Sequence, residues 1–177
     1  MHARTPTPDP SPQGGGEPTR RAALLAASRL RIVPAEERHC RALAANLRPG
    51  DRAEVQAAGM SSIRAVAQSF RGGLLMRTAF VDGEIAAMWG LGGTLISDVG
   101  HPWLLTAPPA ARLPLAFVKN ARRELAAMLA LRRILRNWVA ADYDQAIGLL
   151  RLLGFTLHPP APWGPKGHLF REFEMVR

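Results

Sequence analysis

The stretch AADYDQAIGLLRLLGFTLHP, residues 140–159, decides how this chain is read. A polar turn over 140–143 gives way to an apolar run whose spacing predicts a helix over 144–153. Gly154 is placed to end that helix, because only glycine takes the left-handed C-terminal conformation without a Cβ penalty. Phe155 then opens a strand. RILRNWVA at 133–140 is the strand before the helix, and HLFREFEMV at 168–176 is the last strand. In that last strand Leu169, Arg171, Phe173 and Met175 do not alternate cleanly with polar residues, so its facing stays open.

Further upstream, LLMRTAFV and EIAAMWGL read as two strands separated by Asp82-Gly83, the strongest short hairpin signal. After Gly92 and Gly93 comes a loop, then HPWLLTA at 101–107 as a third long strand. Pro114 sits where a helix can start, since its missing N–H costs nothing there. The helix over 114–130 is expected to bury Leu115, Val118, Leu125, Met128 and Leu129 and to expose Lys119, Arg122 and Arg123. Nearer the N-terminus, LRIVPA at 30–35 is a first strand stopped by Pro34. AEERHCRALAANL is a helix with Cys40, Leu43, Ala44 and Leu47 on one face, broken by Pro49 and Gly50. GDRAEVQAAG is a short helix with Asp51 as its cap and Gly59 as its stop. SSIRAVAQSF is another, with Ile63, Val66, Ala67 and Phe70 on one side. A hairpin feeding strand-helix-strand units predicts a mixed sheet with helices on both faces, an α/β fold of the α+β sandwich kind. Bundles and barrels are excluded.

Composition sets the outer bounds. At 177 residues the chain is expected to form one domain over 29–177, preceded by a flexible tail over 1–28 rich in Pro and Gly. Within that tail, 20–28 is ambiguous between coil and a short helical turn. The apolar part of TRRAALLAASRL is too short for a signal peptide, and no run of about 18 apolar residues exists to span a membrane. The bacterial cytoplasm is the expected compartment. A single cysteine, Cys40, rules out an internal disulfide framework and a cysteine-rich metal site, and no metal is expected. The formal charge of +9 invites a nucleic-acid reading. Against it, arginine outnumbers lysine 21 to 2, the mark of a GC-rich genome, and the arginines are scattered without interleaved aromatics.

DYDQAIGLLRLLGF resembles the segment of the Gcn5-related N-acetyltransferase (GNAT) superfamily in which a helix ends at Leu-Gly-Phe. VDGEIAAMWGL resembles that family's central hairpin, and the likeness spans about residues 30–176. Within the superfamily, NLRPGDRAEVQAAG, with Arg48, Asp51 and Glu54 at three-residue intervals and Gly59 beyond, is similar to phage and prophage proteins of the internal virion protein A type. The resemblance implies a mixed, mostly antiparallel sheet with a coenzyme between its diverging central strands. It also implies that Leu105, Ala107, Ala110, Ala111 and Arg112 lie along the coenzyme, the last three at its pyrophosphate.

The chemistry is less complete than the architecture. The family's Gln/Arg-x-x-Gly-x-Gly/Ala signature lets backbone approach phosphate at a helix start. With Arg112 in first place, Leu115 and Phe117 occupy the small positions, and Pro108, Pro109 and Pro114 each remove a donor. The tyrosine that protonates the leaving thiolate in many members falls on Leu150 here. Tyr143, the only tyrosine, stands where the family usually has asparagine, and packing competes with catalysis as its role. Glu84, His101, Asp142 and Asp144 are weighed as bases, against turn and helix-cap roles. Tyr143 and Glu84 remain the catalytic candidates. Asp51 and Glu54, one helical turn apart, are candidates for the substrate or partner side. Trp89, Trp103 and Trp138 lie on strands and are expected in the core. Trp163, in the loop PPAPWGPKG, is a candidate to cover a cleft or touch a partner.

Two functions follow. The favoured one is a phage-type accessory protein with weak or absent catalysis, acting in virion morphogenesis through a phage or host protein, in the cell or inside a particle. The alternative is an acetyl-CoA-dependent N-acetyltransferase acting on an amine.

Overall fold

The computed structural model describes residues 29–94, 96–113 and 115–177. The expected tail over 1–28 and the helix start at Pro114 lie outside the described residues. The elements run β1 (Leu30–Pro34), α1 (Glu37–Ala45), α2 (Pro49–Ala57), α3 (Ser62–Arg71), β2 (Leu74–Val81), β3 (Glu84–Gly92) and β4 (Val99–Thr106). A 3-10 turn (Pro108–Arg112) leads to α4 (Leu115–Leu131), β5 (Ile134–Ala140), α5 (Asp144–Leu153), β6 (Thr156–Trp163) and β7 (His168–Val176). The strands form one seven-stranded sheet in the order β1-β2-β3-β4-β5-β7-β6, with every neighbouring pair antiparallel except β4 and β5.

Two apolar cores sandwich the sheet. Alternation along β3 sends Ala87, Trp89 and Leu91 to one face, where they meet Phe117, Leu125 and Met128 of α4 and Ile147 of α5. Met88 points the other way, into a core with Cys40 and Leu43 of α1, Val55 of α2 and Val66 of α3. β3 is therefore buried on both faces, as a central strand between helical layers must be.

Local chemistry explains most boundaries. Asp82 and Gly83 both have positive φ, 54° and 85°, which the two-residue turn between β2 and β3 requires. Gly154 ends α5 at φ 95°. α1 starts with a reciprocal arrangement in which the Glu36 and His39 side chains each serve the other's backbone N–H.

Several expectations are corrected. α1 ends at Ala45, ahead of Pro49 as expected, but Pro49 and Gly50 themselves begin α2, since proline at the first helical position forfeits only an unused donor. Asp51 is consequently inside the first turn and not the cap, and it is buried. α5 is preceded by Tyr143 with no side-chain cap, so neither Asp142 nor Asp144 plays that part. Val66 is buried as expected, but α3 turns Ala65 inward beside it and leaves Ile63 half exposed. PPAPW is not a loop: β6 runs through Pro159, Pro160 and Pro162 to Trp163. Proline is tolerated there because β6 is the sheet edge, with a register shift between Leu157 and Pro160.

Candidate functional site

Among the described residues β4 and β5 are the one parallel pair, and their ladder consists of Val99–Ile134 and Gly100–Leu135 alone. Beyond it the strands separate, and side chains replace the ladder. Asn137 Nδ2 donates to the Pro102 carbonyl at 3.0 Å, and His101 Nδ1 contacts the Arg136 carbonyl at 2.8 Å. Parting strands leave backbone groups that need partners.

α2 supplies those partners at the open end. Asp51 accepts from the Thr106 N–H at 3.2 Å and its hydroxyl at 2.6 Å, closing the end of β4. Three residues on, Glu54 Oε1 accepts the Ala140 N–H at 2.7 Å, closing the end of β5. One turn of helix thus straddles the gap with a carboxylate on each strand. The Asp51 oxygen that bonds the Thr106 hydroxyl also accepts the Tyr143 hydroxyl at 3.0 Å. Tyr143 can lie there because Gly50 has no side chain: a Cβ on Gly50 would be 2.5 Å from the ring. Arg48, at the rim, donates to the Gln145 side chain of α5.

Burial sets the acidities. Desolvation raises Asp51 above the ordinary aspartate value, opposed by its bonds to Thr106 and Tyr143. Desolvation likewise pushes Glu54 up to about 7, against the favourable Ala140 N–H, with the charges of Asp51 and Asp142 adding to the rise. Tyr143 moves far up, through burial first and the adjacent Asp51 charge second, so it holds its proton. The result is one carboxyl poised near neutrality in a cleft of about 260 Å³ that passes between the strands.

Of the residues singled out in the sequence, the structure brings Asp51, Glu54, Tyr143, Leu105 and Trp163 to this cleft. It does not bring Glu84. That carboxylate, with its side chain 64% exposed, is ion-paired with Arg112, whose guanidinium also lies 3.7 Å from Asp82. The Ala107 N–H donates to the Ala86 carbonyl at 2.8 Å and the Ala110 N–H to the Ala107 carbonyl at 2.9 Å. Ala111 and Arg112 lie within the same 3-10 turn.

Thr106, which meets Asp51 through its N–H and its hydroxyl, and Gly50, whose part is a missing side chain, carry no sequence signal for these roles. Trp103 packs against the α1–α3 core as expected and also borders the cleft, whereas Trp138, expected in the core, lies along the cleft. Trp89 is in the core as expected. On the opposite side of the sheet, an apolar hollow of about 120 Å³ under α4 and α5 shares Trp103 and Leu104 with the cleft. Trp89 Nε1, Trp103 Nε1 and Asn120 Nδ2, all buried at its wall, have no hydrogen-bond partner among the described residues.

Solved structures that superpose on this chain include several acetyltransferases. One from Streptococcus pneumoniae, of the GNAT family, superposes with a TM-score of 0.56 at 14% identity, over 84% of this chain and 99% of that one. The chain has the GNAT fold. Equally similar are the ribosomal-protein-alanine N-acetyltransferase of Brucella melitensis (TM-score 0.58, 14% identity, 83% and 99% covered) and a Bacillus subtilis acetyltransferase in complex with CoA (0.56, 10%, 85% and 99%). No protein-family model matches the sequence, and no curated protein matches it either. Within the GNAT fold, the parted β4 and β5 and the α2 carboxylates mark the candidate site. Among the described residues no helix is long and apolar enough to cross a membrane, and no cluster of ligating side chains is arranged for a metal.

Proposed function

We propose that the protein is an acetyl-CoA-dependent N-acetyltransferase whose base is Glu54. One observation carries the reading: a desolvated carboxyl with an acidity near 7 sits at the open end of β5, in the cleft between parted strands. An alkylammonium must lose a proton before its nitrogen can attack an acyl carbon. With its acidity pushed up to about 7, Glu54 can take that proton near neutral pH, which is the match between acidity and working pH that general-base catalysis needs. Tyr143 donates its hydroxyl to Asp51 and so orients the carboxylate beside Glu54.

The cleft fits the amide-bearing arm of acetyl-CoA. By strand alternation Leu104 turns its N–H and C=O the same way as Thr106, into the gap, where a bound arm can continue the sheet. The unpartnered indole N–H of Trp103, which borders both the cleft and the hollow behind it, suits a ligand that carries carbonyl acceptors. The phosphate end fits less well, since Arg112 must exchange Glu84 and Asp82 for it. Acetyl-CoA supplies an acyl group on a thioester, and the chain's part is to orient it and move the amine's proton.

A second reading, a non-catalytic protein that uses the fold to bind a partner, is favoured by that same engagement of Arg112. It is the role implied by the phage-type proteins that Arg48, Asp51 and Glu54 resemble in spacing. Thermal melts with acetyl-CoA, followed by turnover assays of wild type and Glu54→Gln on an amine panel, separate the two. Stabilisation and a Glu54-dependent rate support the enzyme. No stabilisation at millimolar acetyl-CoA leaves the partner-binding reading.

A further inference from the structure

Three of the chain's four tryptophans and its only tyrosine line the cleft that holds Asp51 and Glu54. Such a concentration is not a by-product of the two apolar cores, neither of which includes Trp138, Trp163 or Tyr143. Trp138, Trp163 and Phe170 share the sheet face that carries α1–α3, but on the β5-β7-β6 half. Trp138 and Trp163 stack at 5.7 Å and 21°, and Trp163 leans on Phe170 at 5.0 Å. The β6–β7 turn is also set down on the end of α2: a Cβ on Gly59 would lie 2.4 Å from Pro165, and one on Gly164 would lie 3.7 Å from Ala58. Trp163 is therefore held from both sides.

These rings form a stacked apolar cluster, with Phe170 tilted at 57° to Trp163, and a carboxylate lies at its end. Glu54 caps Ala140, two residues along β5 from Trp138 and on the same face, a separation of about 7 Å along the strand. The nearby cation, Arg48, is turned to Gln145. A positive nitrogen at Glu54 gains a charge-assisted hydrogen bond and the attraction of aromatic faces. A flat apolar group against Trp138 gains from leaving water, whereas a polyamine or sugar amine would set unpaired polar groups there at a cost.

We infer that the acceptor is an amine joined by a short spacer to a flat apolar ring, with the ring against Trp138 and Trp163 and the nitrogen at Glu54. This deepens the acyltransferase reading of the same cleft and rests on it. The test is calorimetric titration of the full chain, with no acyl donor present, by 2-phenylethylamine, by spermidine and by neutral 2-phenylethanol. 2-Phenylethylamine is expected to bind one to one, at least tenfold more tightly than either comparator, and to alter tryptophan fluorescence. Trp163→Ala should weaken it fivefold or more, and Trp163→Phe, which keeps a ring in the strand, less than twofold. Spermidine binding as tightly, 2-phenylethanol binding as tightly, or no binding by any of the three overturns the inference. Acetyl-CoA binding is scored separately. Stabilisation by acetyl-CoA without ring preference sinks this inference and leaves the acyltransferase reading, whereas ring-amine binding without acetyl-CoA stabilisation sinks that reading and keeps the amine site.

Discussion

Glu54 carries two consequences that can be measured independently of each other. The first concerns rate. Replacing it with Gln keeps the shape and the bond from the Ala140 N–H but removes the base, so kcat/KM should fall by about 10²–10⁴. The wild-type rate should rise with pH through an apparent value near 7, and that limb should vanish in Glu54→Gln. The second concerns stability. The folded chain holds the Glu54 proton more tightly than the unfolded chain, for which the ordinary value is 4.5. The stability that proton contributes is therefore fully present below 4.5 and lost as pH rises through about 7, by an amount on the order of 3 kcal/mol. Asp51 shifts in the same direction and adds to the slope. Urea unfolding from pH 5 to 8 should show wild type losing stability and Glu54→Gln a shallower slope; equal slopes would mean Glu54 is not desolvated. Tyr143→Phe removes a hydrogen bond to a buried carboxylate and should cost about 1.5–3 kcal/mol. Gly50→Ala should cost about 1–3 kcal/mol by overpacking against the same ring. In a double-mutant cycle, Gly50→Ala should cost much less when residue 143 is already Ala, and additivity would contradict the contact.

Elements were legible in the sequence where one residue's backbone preference decides the outcome, and the site was legible only where it stays close to such a residue. Asp82-Gly83 and Gly154 marked the hairpin and the end of α5 because positive φ selects those residue types locally. The edge strand β6 was hidden by its prolines, which forbid a central strand but not an outer one, and position in the sheet is not a local property. Asp51 and Glu54 stood out as a pair one turn apart. That they face two different strands could not be read from spacing, since it depends on β4 and β5 parting after Gly100 and Leu135. The 3-10 turn shows the reverse case: the resemblance puts Arg112 at a pyrophosphate, and the structure pairs it across the fold with the β2–β3 hairpin. An exposed pair of this kind contributes little. Arg112→Ala should change unfolding free energy by less than about 1 kcal/mol, and a larger loss would show that the ion pairs anchor the turn.

At the scale of the whole molecule, the sheet is two antiparallel halves joined by one short parallel ladder and by the carboxylates of α2. A ligand seated in the gap touches both halves and binds only when they are in register, so it should stabilise the global fold instead of one half. Acetyl-CoA at about a hundred times its dissociation constant should add roughly 2.7 kcal/mol. For a chain of this length that moves the melting midpoint by roughly 5–10 °C. Which end of the coenzyme does the holding follows from what the chain has free. The gap presents the Leu104 backbone and the unpartnered Trp103 indole, whereas Arg112 at the phosphate end is already paired. Phosphate-free S-acetyl-pantetheine should therefore bind within about tenfold of acetyl-CoA, a difference of no more than about 1.4 kcal/mol. Its binding should change little between 50 and 500 mM salt, because no counter-charge is being neutralised. A hundredfold preference for acetyl-CoA that collapses with salt would place the grip on the phosphates, with Arg112 released from Glu84 to provide it.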